Sequence, residues 1–348
     1  MHFAPRLSAS AIGSMPHADV KEAVDFVLTH FKEIPCWPQL PKKSYYENMY
    51  VQFSQAMPNV VVDKEQKRIF INTEKNLEEK LEVFYSKYLE GDLGYFSIGE
   101  DFASGLYEFK RRFLTSGIKD TRYIKGQIVG PISFGLTVCD QIRQSVYYNE
   151  QILDVIIKML SLKAKWQIRF LKELKKEIVI FLDEPYLTSV GSAYVAINRD
   201  KLISNLNEII DVIHAEGAIS GIHCCGNTDW SIVASTKTDI ISFDAYNYAD
   251  TVLLYPDSIS KFMERQGVLA WGIVPTDSNA LKENKDSLSK NIEGWVNKLK
   301  EKGIKRDTII NQSMITPSCG TGSLDEELSE HILLLTTSLS DFIRTRYL

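Results

Sequence analysis

Ile178-Val179-Ile180-Phe181-Leu182-Asp183-Glu184-Pro185 is an apolar run closed by two acids and a proline. A strand with no polar face must be covered on both sides, which is the pattern of a parallel sheet lying under helices. The proline ends the ladder. Two carboxylates at the carboxyl end of such a strand stand where α/β folds keep their chemistry.

The same unit repeats outward from this strand. Upstream, Tyr123 to Pro131 reads as a strand ending in Gly-Pro, followed by a long helix with a basic face from about Asn149 to Lys175. Downstream, Arg199 to Ala215 is an amphipathic helix closed by Gly217. Ala218 to Cys225, Thr238 to Asp244, Val268 to Val274 and Thr308 to Thr316 then read as strands, and Leu324 to Tyr347 as the closing helix. At the other end, Ser8 to His17 reads as a first strand and Glu33 to Leu40 as a second, short one broken by prolines. Between them Val20, Ala23, Val24, Val27, Leu28 and Phe31 recur at helical spacing. Residues 44–120 are less regular, with a hairpin around Val60-Val61-Val62 and Arg68 to Ile71 and a charged helix from Asn76 to Leu89. This segment reads as an insertion.

About eight strand–helix units in 348 residues predict a single-domain (β/α)₈ TIM barrel over 1–348, with 44–120 as an insertion within it. A doubly wound open sheet is the alternative, and no glycine-rich dinucleotide fingerprint supports it.

The 44% hydrophobic fraction allows a sizeable core. A net charge of −5 with dispersed Lys and Arg gives no footing for nucleic acid. Met1 to Ser10 lacks the pattern of a secretory signal, and no apolar run approaches bilayer length, so a cytoplasmic protein is expected. An odd count of five cysteines points to ligands or free thiols rather than a disulfide framework.

In Gly221-Ile222-His223-Cys224-Cys225-Gly226-Asn227-Thr228, strand alternation points His223 and Cys225 one way and Cys224 the other. An imidazole and a thiol on one face of a strand end suit a borderline cation, with zinc the obvious candidate. Cys319 ends the last strand, in Thr316-Pro317-Ser318-Cys319-Gly320, and a closed barrel would bring it to the other two. His223, Cys225 and Cys319 leave a fourth position for substrate, water or Asp244. With two thiolates and a neutral imidazole around Zn²⁺ the site is formally neutral, so an incoming thiol can bind as thiolate. Zinc-bound hydroxide would make a hydrolase instead.

Plainer roles compete with these. Cys36, Cys139 and Cys224 read as packing residues. Asp244 serves equally as ligand or helix cap, and Asp183 with Glu184 favours a site over a helix start. His17 is open, and His2, His30, His214 and His331 read as surface or structural positions.

Ile12-Gly13-Ser14, Asp183-Glu184-Pro185, His223-x-Cys225-Gly-Asn and Pro317-x-Cys319-Gly together resemble the catalytic domain of cobalamin-independent methionine synthase. The wider grouping includes uroporphyrinogen decarboxylase and the zinc methyltransferases acting on corrinoid proteins, whose zinc motif His223 to Thr228 also resembles. The resemblance spans Ile12 to Gly320. It implies a (β/α)₈ barrel in which His223, Cys225 and Cys319 hold a zinc that activates a thiol for methylation. Asp244 falls where the synthases place a ligating Glu. Residues matching Ile12, Ser14 and Asp183 hold the amino-acid part of homocysteine in that family, and Glu184 lies beside them. Asp277 follows the seventh strand where the synthases carry a His that assists proton transfer.

A methylcorrinoid donor needs no such proton, and the synthases' N-terminal barrel has no counterpart here. The expectation is therefore transfer from methylcobalamin on a corrinoid protein, or from methyltetrahydrofolate, to a small thiol such as homocysteine. Two other classes stay open: a metal-free lyase of the uroporphyrinogen decarboxylase kind, and a non-catalytic module that binds a corrinoid or folate carrier.

Overall fold

The computed structural model describes residues 3–74, 76–116, 118, 120–191, 195 and 197–348, so His2 lies outside the described residues. Among them run nine strands: β1 Val60–Asp63, β2 Arg68–Ile71, β3 Tyr123–Val129, β4 Cys139–Asp140, β5 Glu177–Asp183, β6 Ile219–Cys224, β7 Ile240–Phe243, β8 Val268–Val274 and β9 Ser313–Pro317. Twelve α-helices accompany them.

Six strands form one all-parallel sheet in the order β3-β5-β6-β7-β8-β9. Tyr123, Val179, Phe181, Ile219, Ile240, Val268, Ala270 and Met314 share one buried cluster with Phe3 and Ile34. Side chains of both edge strands meet there, so the sheet curls around this face. Its other face packs the helices. The longest of these, Glu150–Lys172, is capped by Asn149, whose side chain accepts from the Ile152 amide.

The eight-stranded barrel expected from the sequence is not what forms. The sheet has six strands, and β1, β2 and β4 make a separate small mixed sheet. Ser8 to His17 and Glu33 to Leu40 hydrogen-bond to the edge strands and to each other but form no continuous ladder, only the isolated bridges Ala9 to Ile315, Ser14 to Gln39 and Cys36 to Lys125. The physical reason lies in the composition of both stretches. Pro16, Pro35 and Pro38 have no N–H to give a ladder, and Gly13 takes φ 141°, which breaks an extended run. The last strand is also shorter than expected: 306–311 coil into a helix that buries Ile309 and Ile310, and β9 begins at Ser313.

The remaining elements fall close to their expected places. Val60 pairs with Ile71 in the β1–β2 hairpin, and helices cover Leu77–Glu90, Arg199–Ala215 and Glu326–Tyr347. No helix among the described residues is long and apolar enough to cross a membrane.

Candidate metal centre

β5, β6 and β7 lie in register so that Asp183 pairs with His223 and His223 with Ser242. Residues paired across a parallel sheet point to the same side, which sets all three on the curled face at the carboxyl ends of their strands. Cys225 follows β6 with the same parity. Cys224 faces the other way, is fully buried, and has its thiol pushed up to about 12 by burial.

The loop after β9 supplies the third donor. The Ser318 amide donates to Val274 O at 2.8 Å and the Thr321 amide to Ser14 O at 2.9 Å, so Cys319 is held from both sides. Gly320 lies so close to Ser14 that a Cβ there would sit 2.0 Å from Ser14 Oγ. The ligand atoms of His223, Cys225 and Cys319 all lie within 4.8 Å of one another. Donors about 2.0–2.3 Å from one tetrahedral ion sit roughly 3.5–3.8 Å apart, so small side-chain adjustments would close this set on zinc.

Two further observations fit a metal. His223 Nδ1 lies 3.0 Å from Ser242 Oγ, whereas Nε2 is buried and has no hydrogen-bond partner. That is the arrangement of a ligating imidazole whose other nitrogen is fixed by an outer group. The Cys225 thiol is pushed down, first by the Cys319 thiol donating to its sulfur and then by the His223 ring. Cys319 is driven well up by the same sharing, and burial adds to the rise. The two sulfurs share a proton, and a cation bound between them would displace it.

The other expected site residues divide. Asp183 has Oδ1 buried without a partner, and burial pushes its carboxyl up to about 6 against the opposing pull of His223 and Lys125. Asp244 does not join the three donors. Its Oδ1 accepts from the Asn247 amide at 2.9 Å and its Oδ2 from Asn247 Nδ2 at 2.8 Å, so it caps the helix Ala245–Val252.

Glu184 is fully buried, and both its oxygens are spent on the first turn of the helix Pro131–Thr137. Oε1 accepts from the Ile132 amide, and Oε2 from the Ser133 amide and hydroxyl. Burial pushes its carboxyl up to about 7. Glu184 is therefore a brace beneath the site. Asp277 is exposed and accepts from the Asn279 amide at 2.7 Å, capping a short 3₁₀ turn. The Ser14 hydroxyl accepts from the Gly322 amide at 3.3 Å, and buried Ile12 gives its carbonyl to Lys125.

Lys125 and Ser242 belong to the site but were not singled out in the sequence. Lys125 is fully buried, donates to Ile12 O at 2.6 Å and lies 4.3 Å from the Phe181 ring centroid. Its ammonium is pushed down by burial, against the charges of Cys36 and Asp183. A lysine inside an otherwise apolar strand was the available signal. Ser242 inside Ile240–Phe243 was a weaker one. His17 lies elsewhere, with Nε2 3.2 Å from Glu330, and Cys36 is buried in the core.

No protein-family model and no curated protein matches the chain. Among solved structures it is similar to the tandem GH20 catalytic modules of the pneumococcal exo-β-D-N-acetylglucosaminidase StrH. The identity is 11% over 96% of this chain and 85% of that one, with a TM-score of 0.45.

Proposed function

We propose that the protein is a zinc-dependent S-methyltransferase that moves a methyl group from a methylcorrinoid, or alternatively a methylfolate, to a small thiol such as homocysteine. The observation that carries this reading is the meeting of His223, Cys225 and Cys319 from two distant strand ends within 4.8 Å. A bound zinc ion would supply Lewis acidity that keeps the acceptor thiol as thiolate at neutral pH, a nucleophile competent toward an activated methyl group.

The chain's own residues account for the rest. Ser242 fixes the His223 ring so that Nε2 faces the site. Cys225 and Cys319 supply two soft donors, which favour zinc over the hard cations. Asp244, engaged with Asn247, leaves the fourth position to the substrate. Asp183 stands beside His223 with an unused oxygen suited to an acceptor's ammonium group. Lys125 below it tempers the buried carboxylate. The cluster requires reduced thiols, which fits the cytoplasm.

Metal analysis of the purified protein tests the proposal. One zinc per chain is expected, lost in Cys225→Ser and in Cys319→Ser, with methylation of homocysteine from methylcobalamin or methyltetrahydrofolate by the wild type alone. Full zinc content in both variants would overturn it.

A further inference from the structure

Away from the metal centre, the loop after Leu40 and the turn joining β1 to β2 close around a cavity of about 680 Å³. Lys42, Lys43, Lys67 and Arg68 line it together with Tyr50 and Thr137, and among the described residues no acidic side chain does. In a chain of net charge −5, four cations from two separate segments in one concavity are not the dispersed background. Among the described residues none of the four forms an ion pair.

Arg68 carries a second sign of a missing ligand. Its guanidinium carbon lies 4.5 Å from the Phe70 ring centroid, while Nη2 is sealed from solvent with no acceptor. A guanidinium held against a ring and short of acceptors loses little freedom on taking an anion through its accessible N–H groups. Lys42 donates to Leu324 O, which leaves Lys43, Lys67 and Arg68 as the lining cations without a side-chain ion pair among the described residues.

We propose that this cavity binds a small polyanion, a ligand with two or more carboxylate or phosphate groups held by Lys43, Lys67 and Arg68. Its volume suits a small molecule rather than a macromolecular surface. Anion binding here does not rest on the methyltransferase reading.

Calorimetric titration of the full-length protein with trimetaphosphate and with tricarballylate tests this, since the two probes separate phosphate from carboxylate recognition. At least one probe should bind, weaken about tenfold or more in Lys67→Ala/Arg68→Ala and at high salt, and bind Cys225→Ser unchanged. No binding of either probe to the wild type, or equal affinity in the double variant, would overturn the proposal. So would loss in Cys225→Ser, which would put the anion on the metal. Should the double variant misfold by circular dichroism, Lys43→Glu from the other segment must weaken binding by itself. A protein without zinc that still binds the probe would sink the methyltransferase reading and leave this one standing.

Discussion

His223 and Ser242 face each other across β6 and β7, with Nδ1 and Oγ 3.0 Å apart, and the far nitrogen of the imidazole is left buried and unpartnered. The hydroxyl decides which nitrogen is free. Ser242→Ala should therefore lower zinc affinity roughly 10–100-fold while leaving the fold intact. Competition with a chromogenic chelator measures it, and unchanged affinity would mean that the serine does not orient the ring.

Gly320 and Ser14 form a second tight contact, since an added Cβ would land 2.0 Å from the serine oxygen. Gly320→Ala should cost about 1–3 kcal/mol of stability and loosen zinc by moving Cys319. In the Ser14→Ala/Gly320→Ala pair the clash is relieved, so the two effects should be far from additive. Chemical denaturation of all four proteins closes the cycle; additive energies would contradict the contact.

Glu184 is the brace for the helix Pro131–Thr137. Glu184→Ala strands two buried amides and should destabilise the protein by roughly 1–3 kcal/mol, whereas Glu184→Gln keeps the acceptor on one side and should cost less. Thermal unfolding ranks the two variants. A mild alanine variant would mean that water replaces the carboxylate.

Lys163 is fully buried, has Ser97 O, at 3.1 Å, as its one acceptor among the described residues, and burial lowers its ammonium to about 7. The folded chain thus holds fewer protons than the unfolded one between about pH 7 and the ordinary lysine value near 10.4. Stability should rise with pH across that window, by an amount on the order of 4 kcal/mol. Lys163→Met should be the more stable protein at neutral pH and should flatten this slope. Urea midpoints at several pH values measure it, and parallel profiles would refute the assignment.

Much of this protein could be read from spacing. The apolar strands Ile178 to Leu182 and Val268 to Val274 carry no polar face, so their burial in a parallel sheet followed directly. The alternation of His223, Cys224 and Cys225 separated the two side chains that gather beside Cys319 from the one that packs in the core. The closed barrel did not follow. A hydrophobic pattern reports burial but not whether prolines leave enough N–H groups to complete a ladder, and at Ile34 to Pro38 they do not. Asp244 and Glu184 were also legible only as acids near strand ends. Which amide each accepts from depends on helices that no spacing rule positions.

The local chemistry of the chain was therefore written in its order: strands without a polar side, soft donors at strand ends, and turns where glycine and proline allow nothing else. The meeting of Cys319 with His223 and Cys225, the pairing of Ser242 with the imidazole and the gathering of cations beside Arg68 belong to the tertiary structure alone. Contacts across nearly a hundred residues depend on how the sheet curls and where loops anchor. Those are properties of the packed whole, and the pattern of any single segment is blind to them.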